Sequence, residues 1–265
     1  MKPKLAICIS GQTRIHNSVE DEFHHGLKAL FGSEFDYDLY AHTWNDQVLP
    51  TQAHRYTVLR TTDQSQLWKH MVSQGNPFSA MILTEKLQNT PEYQSAISGE
   101  SSLVNLMEKC ITGIYSQLVS AWHAFDSITE PEKYSAFVRF RWDITARHPD
   151  WDNVEFAKNV RSLVESNSLQ STAIAVPLNH GLFMGDMCIG FTPQLYQRLV
   201  DEHIHNIIHN MTNHKPELQL ESSHRLWENL IKYLGGETMY TDEDPIQMFD
   251  HKHTESHKPN KNYGY

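Results

Sequence analysis

Short apolar runs and amphipathic stretches alternate along the first part of this chain, and their spacing separates strands from helices. The compact apolar run Lys4–Ile9 is typical of a buried parallel strand. The following helix is predicted to begin at Asn17, a helix-capping residue with Glu20 in capping-box position, and to end at Gly32. A second strand is predicted at Asp38–His42. Strand, helix and strand in this order predict a parallel pair with a right-handed crossover.

The pattern then weakens and becomes strong again in a long helix. Polar residues dominate from 47 to 100, where Ala80–Leu83 is the one predicted strand. Such a stretch inside a compact domain is typical of functional loops or a lid. From Ser101 to Ser127, apolar residues recur at helical spacing and predict an amphipathic helix.

The strand predicted at 134–144 divides its side chains between two faces. One face is apolar or small: Ala136, Val138, Phe140, Trp142 and Ile144. The other carries Phe137 and then two cations and a carboxylate: Arg139, Arg141 and Asp143. Residues two apart on a strand are separated by about 7 Å, so this row suits a phosphate-rich ligand, with or without a metal ion. A half-buried strand with a solvated polar face is the alternative.

Downstream, a carboxylate stands out beside predicted strands. Strands are predicted at Thr172–Val176 and Met187–Phe191, and Asp186 directly precedes the second. A carboxylate between glycine and methionine at the start of a buried strand is unusual unless it is hydrogen-bonded or functional. Asp186 is therefore a candidate site residue.

Helix signals dominate the last third of the chain. A helix is predicted after 152, and Thr192 followed by Pro193 is typical of a helix start. A final helix is predicted from Pro216 to a cap at Gly235 and Gly236. The complete order of elements predicts a mixed α/β layer architecture.

The turn after the first strand has features of an anion site. A strand, a glycine-containing turn and a helix present backbone N–H groups to an anion at the carboxyl end of a sheet. Gly11 allows close approach of a ligand to the backbone, and Arg14 can hold a phosphate. A tight turn with a surface arginine is the equally open alternative.

Other candidates follow the second strand and lie in the long helix. Trp44 can stack on a base or a sugar, although packing is the commoner role of such a tryptophan. His42 is more often an ordinary interior histidine than a ligand-binding one. Tyr115 and Gln117 are polar enough to face a ligand, or they are solvated on the helix surface.

Composition narrows the function classes. The net charge of −10 argues against a surface devoted to non-specific binding of nucleic acid or anionic membranes. The chain has 3 cysteines, widely separated and without a CxxC pair, which favours a reducing compartment. The first apolar run is too short for a signal peptide and no 18-residue apolar segment occurs, so we expect a cytoplasmic protein without a membrane span.

Three segments together resemble a known family. They are ICISGQTR with DLYAHTW, then IYSQLVSAW with YSAFVRFRWDI, then AVPLNHGLFMGDMCIGF followed by helices with Glu221 at the start of the last. In this order they look like the small GT-A-fold glycosyltransferases of bacteria, large viruses and phages. Those proteins carry SGQxR in the first turn, YSQ in the helix before an RxD strand, and a G/N-D strand start downstream.

The resemblance implies a fold and a set of roles. It implies a GT-A-like, Rossmann-related, mixed and mainly parallel sheet flanked by helices over residues 1–250. The composition of residues 251–265 separately indicates a basic, His-rich tail. A nucleotide-sugar donor, UDP-linked in our expectation, would lie across the carboxyl ends of the strands. The residues expected to bind it are Ser10, Gly11, Gln12, Arg14, His42, Trp44, Tyr115, Gln117 and Arg139. The expected catalytic residues are Asp186, Asp143 and Arg141.

The metal expectation depends on one departure from the family pattern. The common GT-A motif D-x-D has two carboxylates, whereas Arg141 stands in place of the first here. Asp143 can still hold Mn²⁺ or Mg²⁺ if the diphosphate supplies other oxygens. Alternatively, Arg141 neutralises the diphosphate and no metal is needed. We expect metal dependence.

The acceptor and the class of activity stay open. A glycan or small molecule is the leading acceptor, and hydroxymethylated bases of phage DNA are an alternative that the acidic charge disfavours and the basic tail keeps open. A non-catalytic protein that binds nucleotide sugars or glycans on a GT-A scaffold is a second class. A nucleotidyltransferase is a third, although SGQTR matches a triphosphate-binding loop poorly.

Overall fold

The computed structural model describes residues 2–11, 27–28, 30–44, 78–84, 117–141, 145–146, 155–165, 171–178, 183–202, 206–207, 223–240 and 249–250. The strands are β1 Lys4–Ser10, β2 Asp36–Trp44, β3 Phe78–Thr84, β4 Ala136–Arg141, β5 Thr145–Ala146, β6 Thr172–Leu178, β7 Phe183–Phe191, β8 Glu237–Tyr240 and β9 Phe249–Asp250. The helices are α1 at 27–28 and 30–31, α2 at 117–126, α3 Glu155–Glu165, α4 Pro193–Asp201 and α5 Ser223–Tyr233, with a 3-10 turn at Pro131–Lys133.

Seven of the described strands form one sheet in the order β3-β2-β1-β4-β7-β6-β8, and β5 pairs with β9 separately. β1 is parallel to β2 and β4, and β3 is parallel to β2. β7 is antiparallel to both of its neighbours, while β6 and β8 are parallel. One strand of the seven therefore runs against the others, which confirms the predicted mixed and mainly parallel sheet.

Helices cover both faces of this sheet. One face packs against α2, α4 and α5 through residues such as Leu118, Leu195 and Trp227, and we call it the α2 face. The opposite face packs against α1 and α3 and is the α3 face. Because both faces are covered, β1 is buried from Leu5 to Ser10, as its continuous apolar run predicts.

The predicted alternation of β4 is confirmed for Ala136–Phe140, whereas Trp142, Asp143 and Ile144 lie outside the described residues. Phe137 belongs to the core of the α2 face, whereas Ala136, Val138 and Phe140 belong to the core of the α3 face. Arg139 therefore points to the α2 face, together with Cys8 of β1 and Tyr40 of β2. This sidedness decides which helices can contact the polar residues of the sheet.

Two local predictions about helix ends are confirmed. Thr192 caps α4 with a side-chain oxygen that accepts from the N–H of Leu195, and Pro193 begins the helix. Gly235 has a φ of 69°, and the N–H of Gly236 donates to the Ile231 carbonyl at 2.8 Å. The second arrangement is a glycine-dependent termination of α5.

Two strand predictions need correction. β7 begins at Phe183 and not at Met187, so Asp186 lies inside the strand instead of preceding it. β8, at Glu237–Tyr240, was not predicted, because its four residues are mostly exposed and carry no apolar alternation. The tail at 251–265 lies outside the described residues. Among the described helices, none is both long and apolar enough to cross a membrane.

Candidate functional site

The strand order of the sheet reverses between β1 and β4. The chain proceeds outwards from β1 to β2 and β3, and then returns to the other side of β1 with β4. In open α/β sheets, ligands bind outside the carboxyl ends of the strands at such a reversal. Here those ends are Ser10 with Gly11 on one strand and Arg141 on the other.

A row of polar residues crosses the sheet at this end. Ser10 is in register with His42 on β2 and with Arg141 on β4. Neighbouring strands are about 4.8 Å apart, so the row spans roughly 10 Å across three strands. Ser10 and His42 are fully buried, whereas Arg141 is partly exposed. Within this row, Arg141 is the residue that solvent or a ligand can reach.

Arg139 precedes Arg141 by two residues on β4 and is completely buried. Its exposed fraction is 0%, and its guanidinium carbon lies 5.0 Å from the ring centroid of Trp227. Its Nε donates a hydrogen bond to the Ser10 hydroxyl at 3.0 Å. An aromatic face stabilises a cation at this distance. Arg139 thus contacts the turn through Ser10 from inside the protein.

Ser120 of α2 connects the first two strands. Its hydroxyl accepts from the backbone N–H of Gly11 at 2.7 Å and lies 2.7 Å from Nδ1 of His42. The same hydroxyl lies 3.4 Å from the carbonyl oxygen of His42. Helix α2 is thereby tied to the ends of both strands through one buried side chain.

His42 is held in its neutral form. Burial lowers the pKa of His42 well below its ordinary value, and the nearby His123 lowers it further. The two imidazole rings are stacked, with centroids 4.8 Å apart and planes 18° apart. Protonation of His42 would place a positive charge in a buried position beside a second histidine, so the neutral ring is favoured.

Gly11 has a backbone conformation that favours glycine. Its φ is 114°, and among the described residues no atom lies within 4 Å of where a Cβ would be. The described residues therefore leave the space beside this glycine unfilled. The N–H of Gly11 is already engaged by Ser120, so an anion at this turn has to be bound by other groups.

Gln117 is the first described residue of α2 and lies closer than Ser120 to the level of the carboxyl ends of the strands. Tyr134 follows the helix and donates to Asp38 at the amino end of the sheet, so the helix runs antiparallel to β1. Residues three apart share a helix face, which places Gln117 one turn beyond Ser120. Its Oε1 is buried and, within the part of the chain that the structure describes, has no hydrogen-bond partner.

Asp186 reaches the same edge of the sheet through the antiparallel strand β7. Phe140 pairs with Cys188, and Val138 pairs with Gly190. Asp186 lies two residues before Cys188, in the segment of β7 whose register with β6 shifts, and so follows directly on the part of β7 that pairs with β4. Arg141 and Asp186 end up on neighbouring strands at one edge of the sheet.

The remaining predicted site residues are described in part or not at all. Trp44 is the last residue of β2, with its backbone described. Gln12, Arg14, Tyr115 and Asp143 lie outside the described residues. Metal binding was expected at Asp143, and no cluster of three or more histidine, cysteine or acidic side chains converges within the described ranges. The described part of the site supplies cations and hydrogen-bonding groups.

Sequence reasoning missed three residues of this region: Ser120, His123 and Trp227. A signal exists for Ser120, because it occupies a core-facing position among Leu118, Val119 and Ala121. A polar residue buried in such a position has a hydrogen-bonding partner as a rule. The partners lie far away in the sequence and leave no local pattern.

No protein-family model matches the chain, and no curated protein matches it. What the chain does has to be inferred from the chemistry of this edge of the sheet. That chemistry comprises a partly exposed arginine, a second, fully buried arginine, a glycine with positive φ and a neutral histidine.

Proposed function

We propose that this chain is a glycosyltransferase that moves a sugar from a nucleotide-sugar donor, UDP-linked, to a hydroxyl acceptor on a GT-A-like sheet. The observation that supports the proposal most strongly is the convergence of Ser10, Gly11, His42 and Arg141 on the carboxyl ends of three adjacent parallel strands. That edge is where open α/β sheets bind nucleotides.

The charges at this edge suit a diphosphate leaving group. Negative charge on the diphosphate increases as the bond to the sugar breaks, so fixed cations lower the barrier to transfer. Arg141 is partly exposed at the edge, and in the proposed complex it would contact phosphate oxygens directly. Arg139 is enclosed two residues earlier and adds positive potential from a region of low dielectric.

The proposal gives the carboxylates separate roles. Asp186, two residues before the partner of Phe140 on β7, is the candidate base that takes the proton from the acceptor hydroxyl, or it orients the acceptor. Asp143 would hold Mn²⁺ or Mg²⁺, which would neutralise part of the diphosphate charge.

The proposal is tested by titrating UDP-glucose, UDP-galactose and UDP-N-acetylglucosamine into the protein, with Mn²⁺ or with EDTA, and by following release of UDP. Arg141→Ala should weaken binding of the preferred sugar nucleotide at least about tenfold, the loss expected for a charge-assisted hydrogen bond.

Arg161→Ala is the matched control, because Arg161 is also partly exposed but pairs with Glu34 near the amino end of the sheet. Equal affinities for the wild type and Arg141→Ala would contradict the proposed donor site. Tight binding without UDP release in the presence of glycans or hydroxymethylated DNA would instead identify a non-catalytic binding protein.

A further inference from the structure

We infer that Ser120 is a positioning residue that holds the Gly11 turn through its hydroxyl, and that His42, in its Nε2–H tautomer, orients that hydroxyl. The inference rests on the proposed function in one respect only, namely that the turn lies beside a bound nucleotide. The hydrogen-bond arrangement itself does not depend on the proposed function.

The proton count of the Ser120 hydroxyl sets the tautomer. A serine hydroxyl carries one proton to donate and has two lone pairs to accept. One lone pair accepts the N–H of Gly11 at 2.7 Å. The proton then goes either to Nδ1 of His42 at 2.7 Å or to the His42 carbonyl at 3.4 Å.

The two distances favour donation to the ring. An O–H donor approaches its acceptor to about 2.7 Å, and 3.4 Å is long for such a bond. Nδ1 of His42 therefore acts as the acceptor, and the ring proton is on Nε2. Donation by a hydroxyl strengthens its own oxygen as an acceptor, so the bond from Gly11 gains from the one to His42.

The consequence for the site is control of backbone orientation. Gly11 has a φ of 114°, and none of the described residues would contact a Cβ at this position, so among them no side-chain packing holds its peptide plane. The bond from its N–H to Ser120 holds that plane, while Arg139 holds the preceding residue through the Ser10 hydroxyl. Two buried side chains, one from α2 and one from β4, thus position the turn from the α2 face.

The test compares Ser120→Ala with Ser127→Ala. Ser127 lies just after the other end of α2, far from the turn. Its hydroxyl also forms a hydrogen bond, but within the chain segment itself, donating to the Ala124 carbonyl at 2.7 Å. In the ligand-free protein, amide hydrogen exchange at Gly11 should be at least tenfold faster in Ser120→Ala and unchanged in Ser127→Ala. Ser120→Thr, which keeps the hydroxyl, should restore slow exchange.

The same variants are titrated with UDP. Ser120→Ala should bind UDP about tenfold more weakly than the wild type, with Ser120→Thr in between or equal to wild type. If the wild-type protein binds no nucleotide, the proposed function fails, and the exchange data alone decide whether Ser120 holds the turn. Gly11 exchange in Ser120→Ala at the wild-type rate would overturn the inference.

The tautomer is measured on the unmodified protein, which requires no variant to fold. Imidazole ¹⁵N spectra distinguish a protonated from an unprotonated Nδ1. We expect His42 to show an unprotonated Nδ1 near neutral pH. A protonated Nδ1 would overturn the role assigned to His42, because the Ser120 proton would then be directed to the backbone carbonyl.

Discussion

His42 is buried and forms a hydrogen bond with Ser120, the residue that holds the Gly11 turn. Because burial changes the pKa of His42, this residue makes the stability of the protein depend on pH. Its pKa in the folded protein is held well below the ordinary histidine value, by burial first and by His123 second. At pH values below about 6.5, the ordinary histidine pKa, His42 is protonated in the unfolded chain but stays neutral in the folded protein. This histidine therefore makes the folded state less stable as pH falls below that value, and has no such effect above it.

The expected size is a slope of up to about 1.4 kcal/mol per pH unit in the free energy of unfolding. His42→Asn is the comparison, since the amide oxygen can replace Nδ1 as an acceptor without titrating. Urea unfolding of both proteins between pH 7.5 and roughly 5 should give curves that separate only on the acid side. Parallel curves over the whole range would show that His42 titrates normally.

For single residues, the sequence predicts the face of the sheet on which a side chain lies better than it predicts how far that side chain is buried. Alternation along β4 predicted that Arg139 and Phe137 share a face, and the core assignments agree. The complete enclosure of Arg139 could not be predicted, because it depends on Trp227, which lies on a helix far along the chain. The role of Ser120 was hidden for the same reason.

Among the elements, α4 depends on one buried hydroxyl with two functions. Thr192 Oγ1 accepts from the N–H of Leu195 at the start of the helix and from the N–H of Thr172 at the start of β6. The residue is completely buried. A single side chain thus caps the helix and satisfies the first amide of a strand.

Thr192→Val keeps the shape of the side chain and removes the hydroxyl. It should lower the free energy of unfolding by about 2 kcal/mol, the sum of a lost cap and an unsatisfied buried N–H. Thr192→Ser keeps the hydroxyl and should cost about 1 kcal/mol or less. Chemical denaturation measures both, and an equal loss in the two variants would assign the effect to packing instead.

Elements that depend on interactions between residues close in sequence were predicted correctly, and elements that depend on distant pairing partners were not. The Thr192 cap and the Gly235 termination depend on a few consecutive residues, and both were predicted correctly. The start of β7 at Phe183 and the existence of β8 depend on pairing with β6, which no local pattern reports. Pairing partners decide such strands, and partners are distant in sequence.

For the whole molecule, the sheet order is the feature that places the site. A strand, helix and strand pattern predicted parallel pairing of β1 and β2, but not the position of β4 on the other side of β1. That position creates the reversal at which Ser10 and Arg141 meet. Of the residues expected from the resemblance to GT-A glycosyltransferases, Ser10, His42 and Arg141 lie in register at this edge, whereas Gln12, Arg14, Tyr115 and Asp143 lie outside the described residues.

The central claim is that a nucleotide diphosphate binds at the carboxyl ends of β1 and β4, and hydrogen–deuterium exchange with and without saturating UDP tests it most directly. We predict slower exchange in peptides that contain Ser10–Gly11 and Arg141, with no change in α3 or in α4. Protection confined to other segments, or no protection anywhere, would contradict the account.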